Sequence, residues 1–132
     1  MADTEQTVDW RRLREFADVD LEQSFVLSWH VGAGTLRVEL DLCLLPSHPF
    51  YERPRPNEEH CIRPASIEFP DCSTFGRADE VAAQASAERA AGLGQGAIDS
   101  LNILNDGRYR FRGKFGEVYV RAGRPILRFA TS

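Results

Sequence analysis

Along residues 24–44, "SFVLSWHVGAGTLRVELDLCL", large apolar side chains recur at every second position. Phe25, Leu27, Trp29 and Val31 alternate with Ser24, Val26, Ser28 and His30. After "GAG", Leu36, Val38, Leu40, Leu42 and Leu44 alternate with Arg37, Glu39, Asp41 and Cys43. A period of two is that of a strand with one buried face, so the stretch predicts a hairpin burying the first set of each arm. Pro46 ends the second arm, and Pro49, Pro54 and Pro56 keep the chain irregular to about Pro64. "ASIEF" then predicts a short strand burying Ala65, Ile67 and Phe69. From 97 onward "AIDSLNIL", "RYRFRG", "FGEVYVR" and "ILRFA" predict four more strands, with "NDG" and "AGRP" as turns. Asp106 and Gly107 suit a type I′ turn, whose two central residues need positive φ.

Two segments have a longer period. Trp10, Leu13 and Phe16 or Ala17 form one apolar stripe, predicting a short N-terminal helix capped by Thr7 or Asp9. The alanine-rich stretch 77–96 has helix signals at both ends, but Val81 is its only large apolar residue before Leu93, which predicts a weak surface helix or a mobile excursion. Together these elements predict a single domain over 1–132 of mainly β (α+β) class. Its expected form is an antiparallel sandwich or partly open barrel of about seven strands, with the short helix and the weak alanine-rich helix attached.

Composition narrows the class. The chain of 132 residues is 42% hydrophobic and 27% charged, which fits one folded domain with its own core. Its longest apolar run, "LDLCLLP", is too short to cross a bilayer, and the start "MADTEQTVDW" lacks the basic and apolar regions of a signal peptide, so the expected location is the cytoplasm. Cys43, Cys61 and Cys72 are then expected as free thiols. Residues 1–96 carry 9 Arg against 17 acids and residues 97–132 carry 7 Lys or Arg against 3, giving −8 and +4. The net acidity argues against nonspecific binding to nucleic acid.

Candidate chemistry concentrates in the loop "HPFYERPRPNEEHC" at 48–61. His48, His60 and Cys61, with Glu58 or Glu59 and Cys72, are metal-ligand types. Their spacing has none of the short paired arms of a zinc site, and no metal or other cofactor is expected. Cys61 with His48 or His60 could form a nucleophile and base, but nothing marks an oxyanion hole or orienting third group, so no catalytic residue is assigned. The residues expected to bind a partner or ligand are His48, Tyr51, Arg53, Arg55, Glu59 and His60.

Three further groups bear weighing. Arg108, Arg110, Arg112 and Lys114 recur at every second position and would line one face, paired with Glu39, Asp41 or Glu117 on neighbouring strands. His30 beside Ser28 could meet Asp41 or Glu39 across the hairpin. Asp99, at the parity of Leu101 and Ile103, would need partners or mark a site if it faced inward, and otherwise implies a register slip or bulge.

The layout of a leading helix, the "SFVLSW" to "TLRVELDL" hairpin, the "ASIEF" strand and the closing meander resembles small bacterial β-rich domains, some of them similar to immunity proteins. The resemblance implies a noncatalytic binding module that masks a protein partner, through the 46–63 loop and the outward face of the first hairpin. The competing expectation is an enzyme or small-molecule-binding barrel whose pocket opens beside that loop. Nucleic acid and membrane are not expected partners.

Overall fold

The computed structural model describes residues 8–54, 56–77, 90 and 92–129. Among the described residues nine strands run in chain order as β1 (Val8–Asp9), β2 (Val19–Gly32), β3 (Thr35–Leu44), β4 (Cys61–Phe69), β5 (Thr74–Arg77), β6 (Gly96–Ile103), β7 (Tyr109–Gly113), β8 (Gly116–Arg121) and β9 (Ile126–Phe129). All pair antiparallel in one sheet of order β5-β8-β7-β6-β2-β3-β4-β9, with β1 beside β6. The sheet does not close, because its terminal strands β5 and β9 do not pair. The predicted mainly-β class is therefore correct. The two strands beyond the expected seven, β1 and β5, are only two and four residues long, too short to carry a period. Among the described residues no helix is long and apolar enough to cross a membrane.

The connections show that the sheet curls. Residues 70–73 join β4 to β5, and 122–125 join β8 to β9; each link spans six strand positions in the sheet order. Six spacings cover about 29 Å in a flat sheet. Five Cα steps reach at most about 18 Å. The sheet must fold back on itself, and Gly123 N–H donating to Pro70 O at 2.6 Å ties the two links together. The fold lies where β2 meets β6, a ladder of just two residue pairs, Phe25 with Ala97 and Val26 with Gly96. Across the interior Trp29 meets Phe111 and Phe115 edge-on at 5.6 and 5.3 Å, and Phe69 meets Tyr109 and Phe111 at 5.2 and 6.0 Å. These rings close the core between the two ends of the sheet.

The inward set of β3 is as predicted: Leu36, Val38, Leu40, Leu42 and Leu44 are all buried. That of β2 is not. Register shifts between Asp20 and Phe25, and again between Val26 and Ser28, reverse the parity of the strand twice. Val19, Leu21, Ser24, Val26 and Trp29 are buried, while Phe25 and Leu27 stand outward at 40% and 41% exposure. The Ser24 hydroxyl supports the first shift, donating to Asp20 O at 2.8 Å and accepting from Cys43 N–H at 2.9 Å. Cys43, which strict alternation places on the wet face of β3, is buried. β4 begins at Cys61, earlier than expected. Pro64 fits inside it because the β4–β9 ladder starts only at Ala65, leaving one neighbour at that point. The bulge expected at Asp99 is present, between Ile98 and Ser100, and Asp99 is exposed.

The predicted N-terminal helix is instead two 3-10 turns, Trp10–Arg12 and Arg14–Phe16, separated by an extended Leu13. Trp10, Leu13 and Phe16 are buried at a spacing of three, the 3-10 period, and Asp9 caps the first turn by accepting from Arg11 N–H at 2.9 Å. Glu15 on the second turn pairs with Arg124 at 2.5 Å, pinning the segment to the β8–β9 link. Partial burial alone would raise the Glu15 pKa, but the hydrogen bond and charge of Arg124, with Arg14, outweigh it and hold the carboxyl below its ordinary value. The alanine-rich helix expected over 77–96 falls mostly outside the described residues.

The type I′ geometry expected at Asp106–Gly107 is found instead in the first hairpin. At Ala33–Gly34 both residues have positive φ, 51° and 77°, as a type I′ turn requires. At 105–107 only Gly107 does, at 88°. There Gly107 N–H donates to Leu104 O, and Leu104 N–H donates to Arg108 O, giving a three-residue loop in place of the predicted type I′ turn.

Two outcomes follow. Ala33→Asn should raise stability by about 0.5–1 kcal/mol, because asparagine tolerates the left-handed region better than alanine; urea midpoints of the two proteins measure it. Glu15 contributes stability that is present above its unfolded pKa and lost as pH falls through the lower folded value. Glu15→Gln should accordingly be less stable than the parent at neutral pH and show a shallower loss between about pH 5 and 3.

Candidate interaction face

The outward side of β2, β3, β4 and β9 is laid out by register. One row holds His30, Arg37, Glu68 and Ile126; the next holds Ser28, Glu39, Ser66 and Arg128. Then comes Phe25, Asp41 and Pro64, and after the bulge Asp20, Cys43 and Ile62. The first two rows are polar and self-paired, with Arg37 on Glu39 at 3.1 Å and Arg128 on Glu68 at 2.7 Å. The next two are mixed: Phe25, Pro64 and Ile62 are exposed around Asp20 and Asp41.

In the polar rows His30 does meet Ser28 and Glu39, one of the pairings the strand period suggests. The Ser28 hydroxyl donates to Glu39 Oε1 at 3.3 Å, and His30 Nε2 lies 2.9 Å from the same hydroxyl and 3.8 Å from the same carboxylate oxygen. A nucleophile would need its proton directed at an unprotonated ring nitrogen, with the acid holding the other nitrogen. Here one nitrogen faces both partners. Among the described residues no acid holds the other ring nitrogen, so nothing orients the imidazole as a base for the serine. The group is an exposed hydrogen-bond cluster.

Two concavities flank it. One of about 400 Å3 is lined by Leu27, Ser28 and His30 on the strand and by Leu93, Gly94 and Gln95 opposite. The other, about 410 Å3, lies between His30, Thr35, Arg37 and Glu68. The wall of the first is fixed by Trp29, whose Nε1–H donates to Gly94 O at 2.7 Å from within the core. Neither is lined by residues of the 46–63 loop.

That loop packs over the β4–β9 end of the core. Tyr51 is partly buried against the core, as expected. His48 and Phe50 gather on Phe129 with ring centroids at 5.2 and 5.0 Å, and Phe50 remains 54% exposed. Phe50 N–H donates to His48 Nδ1 at 3.0 Å, which turns that nitrogen into the loop itself. Arg63 is paired with Glu52 across the base of the loop. Arg53, Glu59 and His60 are exposed, and Arg55 lies outside the described residues. Of the expected binding residues, Tyr51 is thus turned to the core and His48 to Phe129.

All three cysteines are free and buried. Cys61 Sγ accepts from Glu52 N–H at 3.4 Å. Burial raises the Cys43 thiol, with the charges of Asp20 and Cys61 adding to it, and pushes Cys72 up to about 11, so both stay protonated and inert at neutral pH. Among the described residues no three His, Cys, Asp or Glu are placed to hold a metal ion.

On the opposite half Arg110 and Arg112 share the outward face of β7, while Lys114 sits in the β7–β8 turn. Glu117 and Asp106 take up part of the basic charge of this half: Arg112 pairs with Glu117 at 2.8 Å, and Arg108 with Asp106 at 2.7 Å. Glu39 and Asp41, offered by the sequence as partners, are on the other half. Tyr119 donates to Glu117 at 2.7 Å and lies under the Arg108 guanidinium. The hydrogen bond from Tyr119 and the pair with Arg112 hold the Glu117 carboxyl below its ordinary range.

Phe25 and Leu27 are the surface residues that strict alternation missed. The signal for them is the polar pair Glu22–Gln23 between the inward Leu21 and Ser24, which leaves one residue too many for a regular strand. No family model, curated protein or solved structure matches the chain.

The hydrogen-bond geometry predicts that Ser28 has no nucleophilic reactivity. A fluorophosphonate probe at neutral pH should leave Ser28 unlabelled by peptide mass spectrometry, and His30→Ala should shift the urea-derived stability by less than about 0.5 kcal/mol, as for an exposed polar residue.

Proposed function

We propose that the chain is a noncatalytic protein-binding module, of the masking kind that immunity proteins represent, and that it engages its partner through the outward face of β2, β3 and β4. The observation that carries this reading is the pair of β2 register shifts. They turn Phe25 and Leu27 into solvent on a strand whose regular alternation would have buried both. Bulges commonly re-aim side chains at functional positions.

Several features support it. Phe25, Pro64 and Ile62 make an exposed apolar cluster with acidic neighbours on a rigid sheet, and the concavity beside Leu27 offers a recess next to these projecting groups. Interfaces combine such apolar anchors with a polar rim. The exposed Phe50 places the 46–63 loop at the border of the same end of the sheet. The Ser28–His30–Glu39 geometry gives an enzymatic reading no activated nucleophile.

The test is site-specific photo-cross-linking in the source cells, with a benzophenone amino acid at Leu27 or Ile62 and, as the contrast, at Arg112 on the opposite half. The expected result is a discrete protein adduct of one mass from positions 27 and 62 and none from position 112. Equal adducts from all three, or none from 27 and 62, overturn the reading.

A further inference from the structure

We infer that the partner presents a basic segment to this face, with an apolar anchor seated among Phe25, Pro64 and Ile62 and arginine or lysine side chains on Asp20 and Asp41. This rests on the binding reading above and adds the chemistry of what is bound.

Charge compensation on the face is the argument. Four acids of the sheet half or its border already have cations: Glu22 on Arg11, Glu39 on Arg37, Glu68 on Arg128 and Glu52 on Arg63. Asp20 and Asp41 do not. Among the described residues neither has a Lys, Arg or His within ion-pair distance; Asp20 spends one oxygen on Glu22 N–H at 3.0 Å. These two carboxylates sit in the two rows that carry the exposed apolar side chains, Asp41 between Phe25 and Pro64, and Asp20 across Cys43 from Ile62.

A protein that covers Phe25, Pro64 and Ile62 therefore also removes water from Asp20 and Asp41. A neutral segment would leave two desolvated charges unpaired, and an acidic one would add repulsion. A basic segment turns both costs into pairs. The same two charges would speed encounter with a cationic partner and make binding weaken as salt rises. Around β7 and β8, by contrast, Asp106 and Glu117 are already paired with Arg108, Arg121 and Arg112.

The experiment is selection of a random twelve-residue peptide library displayed on phage against the full chain, followed by fluorescence anisotropy with the selected peptides. Expected are sequences with at least two Arg or Lys flanking a large apolar residue. Their affinity should fall at least tenfold for Phe25→Ser with Ile62→Ser. It should fall about tenfold for Asp20→Asn with Asp41→Asn, with a flatter salt dependence. Circular dichroism and urea midpoints verify that both variants are folded; Asn retains the oxygen that accepts from Glu22 N–H. Neutral or acidic peptides that still depend on Phe25 and Ile62, or basic ones indifferent to the Asp→Asn pair, overturn the basic partner while leaving the docking face. Selection that yields no peptide dependent on Phe25 and Ile62 overturns both.

Discussion

The fold depends on β2 belonging to two parts of a sheet that must fold back on itself. β2 pairs with β3 over most of its length but with β6 at only two positions, and it is there that the sheet bends. Links too short to span a flat sheet make the bend obligatory, and the bend brings Trp29 and Phe69 onto Phe111, Phe115 and Tyr109. A strand with regular alternation could not turn so sharply while keeping its inward set continuous. The register shifts provide the turn, and their local consequence is that the side chains between them change face. The exposed Phe25 and Leu27 thus share one cause with the interior aromatic cluster.

This explains what could be read from the sequence. β3 was fully legible because its apolar residues alternate without interruption from Leu36 to Leu44 and the strand is regular. Ala65, Ile67 and Phe69 of β4 were legible for the same reason. β2 carries the same kind of signal, but Phe25, Val26 and Leu27 are consecutive and apolar, so alternation alone allows either parity. The choice is supported by the Ser24 hydroxyl bonding Asp20 O and Cys43 N–H, and its one trace in the sequence is the polar pair Glu22–Gln23. The Asp99 bulge was legible because an acid at an inward parity has a large desolvation cost. The Trp10, Leu13, Phe16 stripe was visible, but a spacing of three suits a 3-10 turn as well as a helix, and a chain this short gains little from continuing as α.

The candidate site was half legible. The outward Ser28 and His30 and their contact with Glu39 follow from strand parity alone. The placement of His48 and Tyr51 did not, because proximity along a loop does not fix direction. Tyr51 turns to the core, His48 and Phe50 turn to Phe129, and Arg53, Glu59 and His60 face water. Phe129 is eighty residues away in sequence, and its pull on the loop appears only once β9 has docked beside β4.

The charges of the two halves are arranged on different principles, and this bears on function more than on stability. Around β7 and β8 the arginines are matched within their own half, by Asp106 and Glu117 and by the Tyr119 ring. Exposed pairs of this kind add little to folding, but they quench the local field and leave a basic sequence segment with much less free charge than its count suggests. The acidic excess of residues 1–96 is quenched unevenly: Arg37, Arg63, Arg11 and Arg128 cover part of it, and Asp20 and Asp41 are left over among apolar neighbours. An unpaired carboxylate in water costs the isolated domain almost nothing, so stability gives no reason to fill these positions with acids or to leave them unmatched. The energetic effect of the two aspartates arises only when water is displaced from Phe25, Pro64 and Ile62, and its sign is then set by what displaces it.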